Sequence, residues 1–417
     1  MAHGSGEENT PRIGFLLSRY PAVSHTFFLK EVLGLRERGV EIYVASINPP
    51  DRPVEALPSV EAAEAAATFY VKSGGAAKLV TDVLSVVLSH PGAALRGLRA
   101  AMRLGGLDLK ARIFAFFYLA EALLVGRWMR QRGLGHLHVH FGGAVATVGM
   151  LTAQAWEIPW SVTLHGPDEF FDQEAFYLRE KIASARFVIC ISDFCRSQVL
   201  RIVPSLEQGR TEIVRLGVDC AALQPKAALE SQGTVRIACT GRMVAAKGHR
   251  ILLEALAIAA VALRPKGITL ECVLIGDGPE RKALERLAGQ LGIAGNVHFA
   301  GAQAHQQTLE AVAEADIFVL ASFAEGLPVA LMEAMALGVP CISTQIAAIP
   351  ELIHSGENGL LVPASNVPEL ADALVRLSSE GEYRRRLGGV ARQTAEREYN
   401  LATNLDALSK LWRRRLN

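Results

Sequence analysis

Cysteine is scarce in this sequence, and the few thiols follow no pattern. The 417 residues include six cysteines, with no C-x-x-C pair and no histidines at the spacing of a zinc finger. A zinc-finger module and a disulfide framework are therefore both excluded. We expect the six thiols to be small core residues of a protein in a reducing compartment. They are Cys190, Cys195, Cys220, Cys239, Cys272 and Cys341.

Long apolar runs, aromatic residues and an excess of charge are lacking as well. No run of about 18 or more uncharged apolar residues occurs, which excludes an obvious membrane-spanning helix. The formal net charge is +1, so the charge balance gives no case for a nucleic acid partner. The first ten residues are polar and contain no apolar stretch, so we expect no signal peptide and a cytoplasmic protein.

The sequence does contain a regular alternation of short apolar strands and amphipathic helices. A β-α-β pattern opens at 12–47, and a second series begins near residue 235, after a polar stretch at 221–233 that we interpret as a linker. A chain of this length exceeds what one core usually organises. The predicted fold class is therefore α/β, with two doubly wound domains at 1–217 and 218–395. The first turn lacks G-x-G-x-x-G, so a dinucleotide site is not supported.

The most informative stretch is SFAEGLPVALMEAMALGVPC at 322–341. It follows an apolar strand and combines a tight turn with an apolar helix, in which Pro328 is tolerated in the first turn. The free N–H groups around Gly326 and Leu327 would then point out of the helix start, which suits a phosphate. Glu325 would lie at the mouth of the loop and Glu333 inside the helix near the same crevice, where a carboxylate could accept hydrogen bonds from ribose hydroxyls. A plain helix cap and a solvated helix position are the alternative interpretations of these two carboxylates.

Two further turns of the second half follow strands. In GRMVAAKG (241–248), Arg242 can bind two phosphate oxygens and Lys247 adds a mobile charge, so a diphosphate could lie between this turn and the EGLP turn. In GDGPE (276–280), Gly276 and Gly278 could expose backbone groups to a ligand. An ordinary tight turn explains these glycines equally well.

The first half offers candidates at strand ends. Ser24, His25 and Thr26 follow the first strand and either reach a ligand or only cap the next helix. HLHVHFGG (136–143) places three histidines on one side of a strand, too widely spaced for one metal ion, and we interpret them as structural, with His140 nearest a ligand. His165 and Asp168 follow another strand at its carboxyl end, where ligands of open α/β sheets bind.

The 96–132 region is basic and partly apolar. The sequence between Pro91 and Leu134 contains eight arginines and lysines but only two acidic residues. This cationic face could lie on an anionic membrane surface or meet an acidic acceptor. A solvated charged face is the simpler interpretation.

Taken together, these motifs resemble the retaining glycosyltransferases of the GT-B fold, family 4. GRMVAAKG, VLIGDGPER, ADIFVLASFAEGLPVALMEAMALGVPCIST and IPELIHSGENGLLV are similar to the donor domain of that family. YPAVSHTFFLKEVLGLRERG, HVHFGGAVATVGMLTA and TLHGPDEFF resemble its bacterial exopolysaccharide or colanic-acid-type branch. His25 departs from the S-E-T-F motif usual in that branch. The resemblance covers nearly the whole chain and is weakest from about 50 to 130.

The resemblance implies an architecture and a set of roles. Two Rossmann-like domains would face a central cleft, and the segment 396–417 would cross back to the first domain. Arg242 and Lys247 would hold the donor diphosphate, with the backbone at 326–328 on phosphate and sugar. Glu325 would contact the donor sugar, and Glu333 the ribose. His165 would lie near the reacting centre and the acceptor.

The implied reaction is the transfer of a hexosyl unit from a nucleotide-diphosphate sugar, UDP-linked rather than GDP-linked, to a saccharide or lipid-linked acceptor. The stereochemistry, retaining, comes from the resemblance alone. No D-x-D pair occurs in a suitable loop, so we expect no metal and no other cofactor. A GT-B nucleotide-sugar epimerase and a non-catalytic sugar-nucleotide-binding scaffold stay open as alternatives. For the cellular location we expect the cytoplasm, with peripheral contact to the inner membrane face through 96–132.

Overall fold

The computed structural model describes residues 12–22, 26–104, 108–166, 168–207, 209–225 and 233–416. These residues form two compact units. The first unit contains the described residues up to Ile191, then Cys195–Val214 and the end of the chain from Leu405. The second contains Ser192–Phe194 and Arg215–Asn404.

The first unit is built on a seven-stranded parallel sheet in the order β3-β2-β1-β4-β5-β6-β7. Its central strands are buried on both faces, as expected for a parallel sheet covered by helices. The strands are β1 Arg12–Arg19, β2 Glu41–Asn48, β3 Phe69–Tyr70, β4 His136–His140, β5 Trp160–Leu164, β6 Phe187–Cys190 and β7 Thr211–Ile213.

Nine helices accompany this sheet in the described sequence. The longest, α5, begins where the Asp108 carboxylate accepts the backbone N–H groups of Lys110 and Ala111, and it ends at Gly133 in the left-handed conformation. The helices are α1 Thr26–Glu37, α2 Ser59–Ala67, α3 Gly75–Ser89, α4 Pro91–Arg103, α5 Leu109–Arg132, α6 Ala144–Trp156, α7 Asp168–Phe171, α8 Leu178–Ser184 and α9 Asp193–Ile202.

The second unit is built on a six-stranded parallel sheet in the order β10-β9-β8-β11-β12-β13. Strands β11 and β12 are buried at every position, which agrees with the continuous apolar runs of the sequence. The strands are β8 Thr234–Thr240, β9 Thr269–Ile275, β10 Val297–Gly301, β11 Ile317–Leu320, β12 Cys341–Thr344 and β13 Gly359–Val362.

The next helices along the chain alternate with these strands, and the last three follow the final strand. They are α10 His249–Leu263, α11 Arg281–Gln290, α12 His305–Ala313, α13 Val329–Ala336, α14 Ile349–Leu352, α15 Val367–Ser379, α16 Gly381–Glu398 and α17 Leu401–Leu416. The last part of α17 belongs to the first unit. There Trp412 is fully buried, and its ring lies 4.8 Å from the ring of His138 and 6.0 Å from that of Phe15.

The predicted α/β class with two Rossmann-like parallel sheets is confirmed. Both sheets have the first strand next to the fourth, the order of doubly wound folds. All six cysteines are buried and unpaired, as expected of core residues. One detail was missed: the two-residue strand Phe69–Tyr70 was not predicted. Among the described helices, none has the length and apolar character needed to cross a bilayer.

Candidate active site

The strand order of the second sheet reverses between β8 and β11, which are neighbours although they are the first and fourth strands. In open α/β sheets, ligands bind outside the carboxyl ends of the strands at this point. The loop that leaves β8 is 241–248, and the loop that leaves β11 is 321–328. The structure therefore places the two most informative sequence motifs at the topological switch point of one sheet.

Lys247 and Glu325 meet where these two loops converge. The Lys247 Nζ atom lies 2.6 Å from Oε1 of Glu325, and the Ser322 hydroxyl donates to the same oxygen at 2.6 Å. The backbone N–H of Phe323 donates to the carbonyl oxygen of Ala246 at 2.7 Å, which ties the loops together. Glu325 is only 8% exposed. Burying a carboxylate costs free energy unless the charge is paired. The ammonium of Lys247 provides that pairing, so the two side chains hold each other in place.

Helix α13 begins directly after this pair. The sequence predicted Pro328 in the first turn of this helix. In the structure Pro328 is the N-cap residue, and Val329 is the first helical residue. No described residue accepts a hydrogen bond from the backbone N–H groups of Gly326 and Leu327. The helix start thus presents free donors and the positive end of the helix dipole, which favours an anion.

Arg242 lies in the same loop as Lys247 and is exposed. Its guanidinium forms no ion pair or hydrogen bond with any other part of the described chain. A guanidinium carries five N–H donors that match the oxygens of a phosphate. Arg242 is therefore available to a bound anion at the carboxyl end of β8.

Gly276 and Gly278 allow the loop after β9 to touch the loop after β8. Gly276 has φ +139°, and a Cβ atom there would lie 2.0 Å from the carbonyl oxygen of Gly241. A Cβ atom on Gly278 would lie 2.4 Å from the carbonyl oxygen of Met243. Both positions need glycine for backbone packing, so a tight contact between loops accounts for them. Their contact with a donor stays a prediction.

Glu333 lies in the second turn of α13 and is half-buried. Its Oε1 atom lies 3.4 Å from Nε2 of His305, the first residue of α12. Sequence reasoning assigned this carboxylate to ribose hydroxyls and did not single out His305. The contact joins residues 28 positions apart, and no local pattern indicates it.

In the first unit, His140 and His165 form a contact at the carboxyl ends of β4 and β5. His140 Nδ1 lies 3.1 Å from His165 Nε2, and His140 Nε2 lies 3.2 Å from Oε1 of Glu31 in α1. A hydrogen bond between two imidazoles requires one shared nitrogen to donate and the other to accept. The pair can therefore hold a proton at a defined position inside the unit, where both rings are buried.

The other two histidines of β4 are engaged within the sheet. His136 and His138 both contact the Ser161 hydroxyl, at 2.7 and 2.9 Å, and His138 also contacts the Thr163 hydroxyl at 3.0 Å. Burial lowers the pKa of His136 to about 3 and that of His138 well below its usual value. Both rings therefore stay neutral, as structural histidines do.

Glu169 and Lys181 hold the loop backbone around the two contacting histidines. The Glu169 carboxylate accepts the backbone N–H groups of Gly142, His165 and Gly166. The Lys181 ammonium donates to the carbonyl oxygens of the residues after β4. Burial raises the pKa of Glu169 to about 7 and lowers the pKa of Lys181 to about 7. Sequence reasoning missed both residues and chose Asp168, the neighbour of Glu169. The only signal was the helix-start position of the D-E-F segment.

Ser24 and His25 lie outside the described residues, while Thr26 and Asp168 are the first residues of α1 and α7. Within the described ranges, no three histidine, cysteine or carboxylate side chains are grouped closely enough to hold a metal ion.

Residues 234–380, which form most of the second unit, match the family described as "Glycosyl transferases group 1". The chain is 24% identical over 379 residues to WcaL of Escherichia coli (strain K12), a protein named for colanic acid biosynthesis. That alignment covers 88% of this chain and 90% of WcaL. It is 26% identical to the amylovoran biosynthesis glycosyltransferase AmsK of Erwinia amylovora, covering 89% of this chain and 91% of AmsK.

Among solved structures, the chain is similar to Anabaena Alr3699/HepE in complex with UDP. The TM-score is 0.69 at 17% sequence identity, over 96% of this chain and 99% of HepE. At this identity the likeness concerns the fold, and the GT-B fold expected from the resemblance is confirmed.

Proposed function

We propose that the chain is a glycosyltransferase that moves a hexosyl unit from a nucleotide-diphosphate sugar to an acceptor hydroxyl, and the premise is that residues 234–380 match the family described as "Glycosyl transferases group 1". The observation that carries the proposal is the contact between Lys247 and Glu325 at the switch point of the second sheet. A basic loop, a paired carboxylate and a helix start converge there, as a charged leaving group and a sugar require.

The proposed chemistry follows from where charge develops. Breaking the anomeric C–O bond leaves an oxocarbenium-like sugar and a nucleotide diphosphate with additional negative charge. Lys247, Arg242 and the backbone donors at the start of α13 stabilise that diphosphate. Loss of one such contact in a dry site typically costs on the order of 10²–10³ in rate. The proposed reaction needs no metal and retains the anomeric configuration, with the leaving phosphate taking the acceptor proton.

The donor pocket is assigned to the second unit. Glu325 accepts hydrogen bonds from the donor sugar, and Glu333, already beside His305, from the ribose. UDP is the proposed nucleotide; the solved HepE structures hold UDP, and one holds UDP-glucose. These are facts about HepE and support the proposal by similarity of fold.

The acceptor side is assigned to the first unit, with His165 and its partner His140 as the residues that meet the acceptor. The acceptor class, a saccharide or lipid-linked glycan in polysaccharide synthesis, is supported by the names of WcaL and AmsK.

Nucleotide titration tests the proposal. Calorimetry with UDP, GDP and ADP, with and without EDTA, should give selective binding of UDP that EDTA leaves unchanged. Lys247→Met should lose most of this affinity. Lys266→Met is the matched control, because Lys266 is exposed and lies just before β9, at the amino-terminal ends of the strands and away from the site. Absence of binding by folded protein would exclude the transferase. Binding together with interconversion of two UDP-sugars without an acceptor would favour the epimerase.

A further inference from the structure

The helices α3, α4 and α5 of the first unit carry an unusual share of the exposed apolar side chains. Twelve of the nineteen large hydrophobic residues exposed in the described chain lie between residues 80 and 117. We call these twelve the apolar surface; they are Val80, Leu84, Val87, Leu88, Leu95, Leu98, Met102, Leu109, Ile113, Phe114, Phe116 and Phe117. Scattered exposed apolar residues are normal, whereas a concentration of them on three helices that pack against one another is typical of a binding surface.

The start of α5 shows the shape of this surface best. Leu109 is 72% exposed and Phe117 60% exposed, and Ile113, Phe114 and Phe116 are each about half exposed. At about 100° per residue these five side chains cover an arc of about 160° of the helix. The opposite side, which includes Ala115, Leu119 and Ala122, is buried in the unit.

Helix α4 repeats the arrangement with charge beside it. Leu95, Leu98 and Met102 form one exposed stripe, and Arg99 and Arg103 lie along its edge. Within the part of the chain that the structure describes, Arg99 and Arg103 have no ion-pair partner. The two arginines therefore add uncompensated positive charge next to apolar side chains.

The net charge of this region is positive. Residues 75–117 contain six basic and two acidic residues, and both acids are engaged. Asp82 lies 2.6 Å from the ammonium of Lys78, and the Asp108 carboxylate caps α5. Lys110 in the first turn of α5 is exposed and, like the two arginines, is without an ion pair to any described residue.

We propose that the apolar surface docks on an anionic lipid bilayer, with the side chains of α5 and α4 entering the interface and Arg99, Arg103 and Lys110 facing lipid phosphates. Apolar insertion combined with basic flanks is the arrangement by which helices bind membrane surfaces. A partner protein with a hydrophobic groove would cover only one narrow stripe of a helix. The exposed apolar arc on α5 is wider than such a stripe, which favours a membrane surface. A second copy of this chain would place like charges opposite each other across a two-fold contact.

Vesicle binding by the full chain tests this inference, which does not depend on the proposed transfer reaction. Purified protein is floated with vesicles of phosphatidylcholine alone and of phosphatidylcholine with phosphatidylglycerol. We expect binding to the anionic vesicles that weakens as salt is raised. L109S/F117S should weaken it roughly 100-fold, about ten-fold for each inserted side chain. R99Q/R103Q should weaken it roughly 25-fold, about five-fold for each cation.

Matched controls come from the second unit. Ile258 and Val261 are exposed apolar residues of α10, and Arg264 and Lys266 are exposed cations that follow it. I258S/V261S and R264Q/K266Q should bind vesicles like the wild type. All variants change exposed side chains, and circular dichroism verifies their folding.

Three outcomes would overturn the inference. Folded wild type that binds no anionic vesicle refutes it, as does vesicle binding that the α4 and α5 variants leave unchanged. A wild-type dimer in the absence of lipid that L109S/F117S converts to a monomer, without vesicle binding by either, would assign the surface to a second copy. Because nucleotide titration is measured separately, failure of this inference and failure of the proposed function are distinguishable.

Discussion

The contact between Lys247 and Glu325 predicts that stability and nucleotide affinity can be separated by two substitutions. Lys247→Met removes the ammonium but keeps an apolar side chain of similar length. Glu325 is then left 8% exposed, with Ser322 as its remaining side-chain donor. Adding Glu325→Gln removes the unpaired charge and keeps an oxygen that can accept the Ser322 hydroxyl.

The expected magnitudes follow from burial. Removing one partner of a fully buried ion pair costs about 3–5 kcal/mol. The Lys247 side chain is 27% exposed, so water relieves part of that cost, and we expect Lys247→Met to lower the free energy of unfolding by about 2 kcal/mol, the worth of a hydrogen bond to a charged group. In the double variant, about 1 kcal/mol of this loss should return, because contacting residues are not additive. UDP affinity should fall at least about ten-fold in both variants, or about 1.4 kcal/mol.

Two measurements check this prediction. Urea unfolding followed by circular dichroism gives the stability, fitted with separate transitions because two units need not unfold together. Calorimetric titration with UDP gives the affinity. A double variant no more stable than Lys247→Met would refute the coupling between the two residues. Recovery of UDP affinity in the double variant would show that Lys247 acts by neutralising Glu325 and not by binding phosphate.

Two further predictions concern the second unit. Gly276→Ala should destabilise the protein by about 3 kcal/mol and abolish UDP binding, because alanine is strained at a φ of +139° and its Cβ atom, 2.0 Å from the facing carbonyl oxygen, would push the two loops apart. The control is Gly289→Ala at an open position of α11, which should instead stabilise the protein by up to about 1 kcal/mol in urea unfolding. Burial lowers the pKa of His249 from 6.5 to about 4, so the unfolded chain takes up this proton first and stability should fall by up to about 3 kcal/mol between pH 6.5 and 4. His249→Phe should flatten that acid limb of the stability profile, and His298→Gln, at an exposed position, should not; an unchanged slope in His249→Phe would contradict the reasoning.

Part of the candidate site could be predicted because its signals are local. The EGLP turn combines a buried strand, a short loop and an apolar helix within about 20 residues, and the eight residues of GRMVAAKG join a strand directly to a helix. Each pattern specifies its own strand, turn and helix start. That the two turns lie at one sheet edge followed from the parallel alternation alone, since carboxyl ends of parallel strands share an edge.

Other parts could not be predicted because they depend on contacts between distant residues. His305 reaches Glu333 from the start of another helix, and nothing near either residue indicates the pairing. Glu169 was overlooked in favour of Asp168, because the contact of the Glu169 carboxylate with the backbone of Gly142 depends on how α7 packs.

The sequence by itself determined the α/β class, the two-fold repetition of parallel sheets and the loops that carry charge, because strand, turn and helix preferences act over a few residues. The tertiary structure alone decided which charges meet. Burial of Glu325 between two loops demands a partner, and only the packed chain brings Lys247 within 2.6 Å of it. It also decided which apolar residues stay outside: the sequence marked 96–132 as basic, but only packing shows that the side chains of α5 from Leu109 to Phe117 are left uncovered along one face.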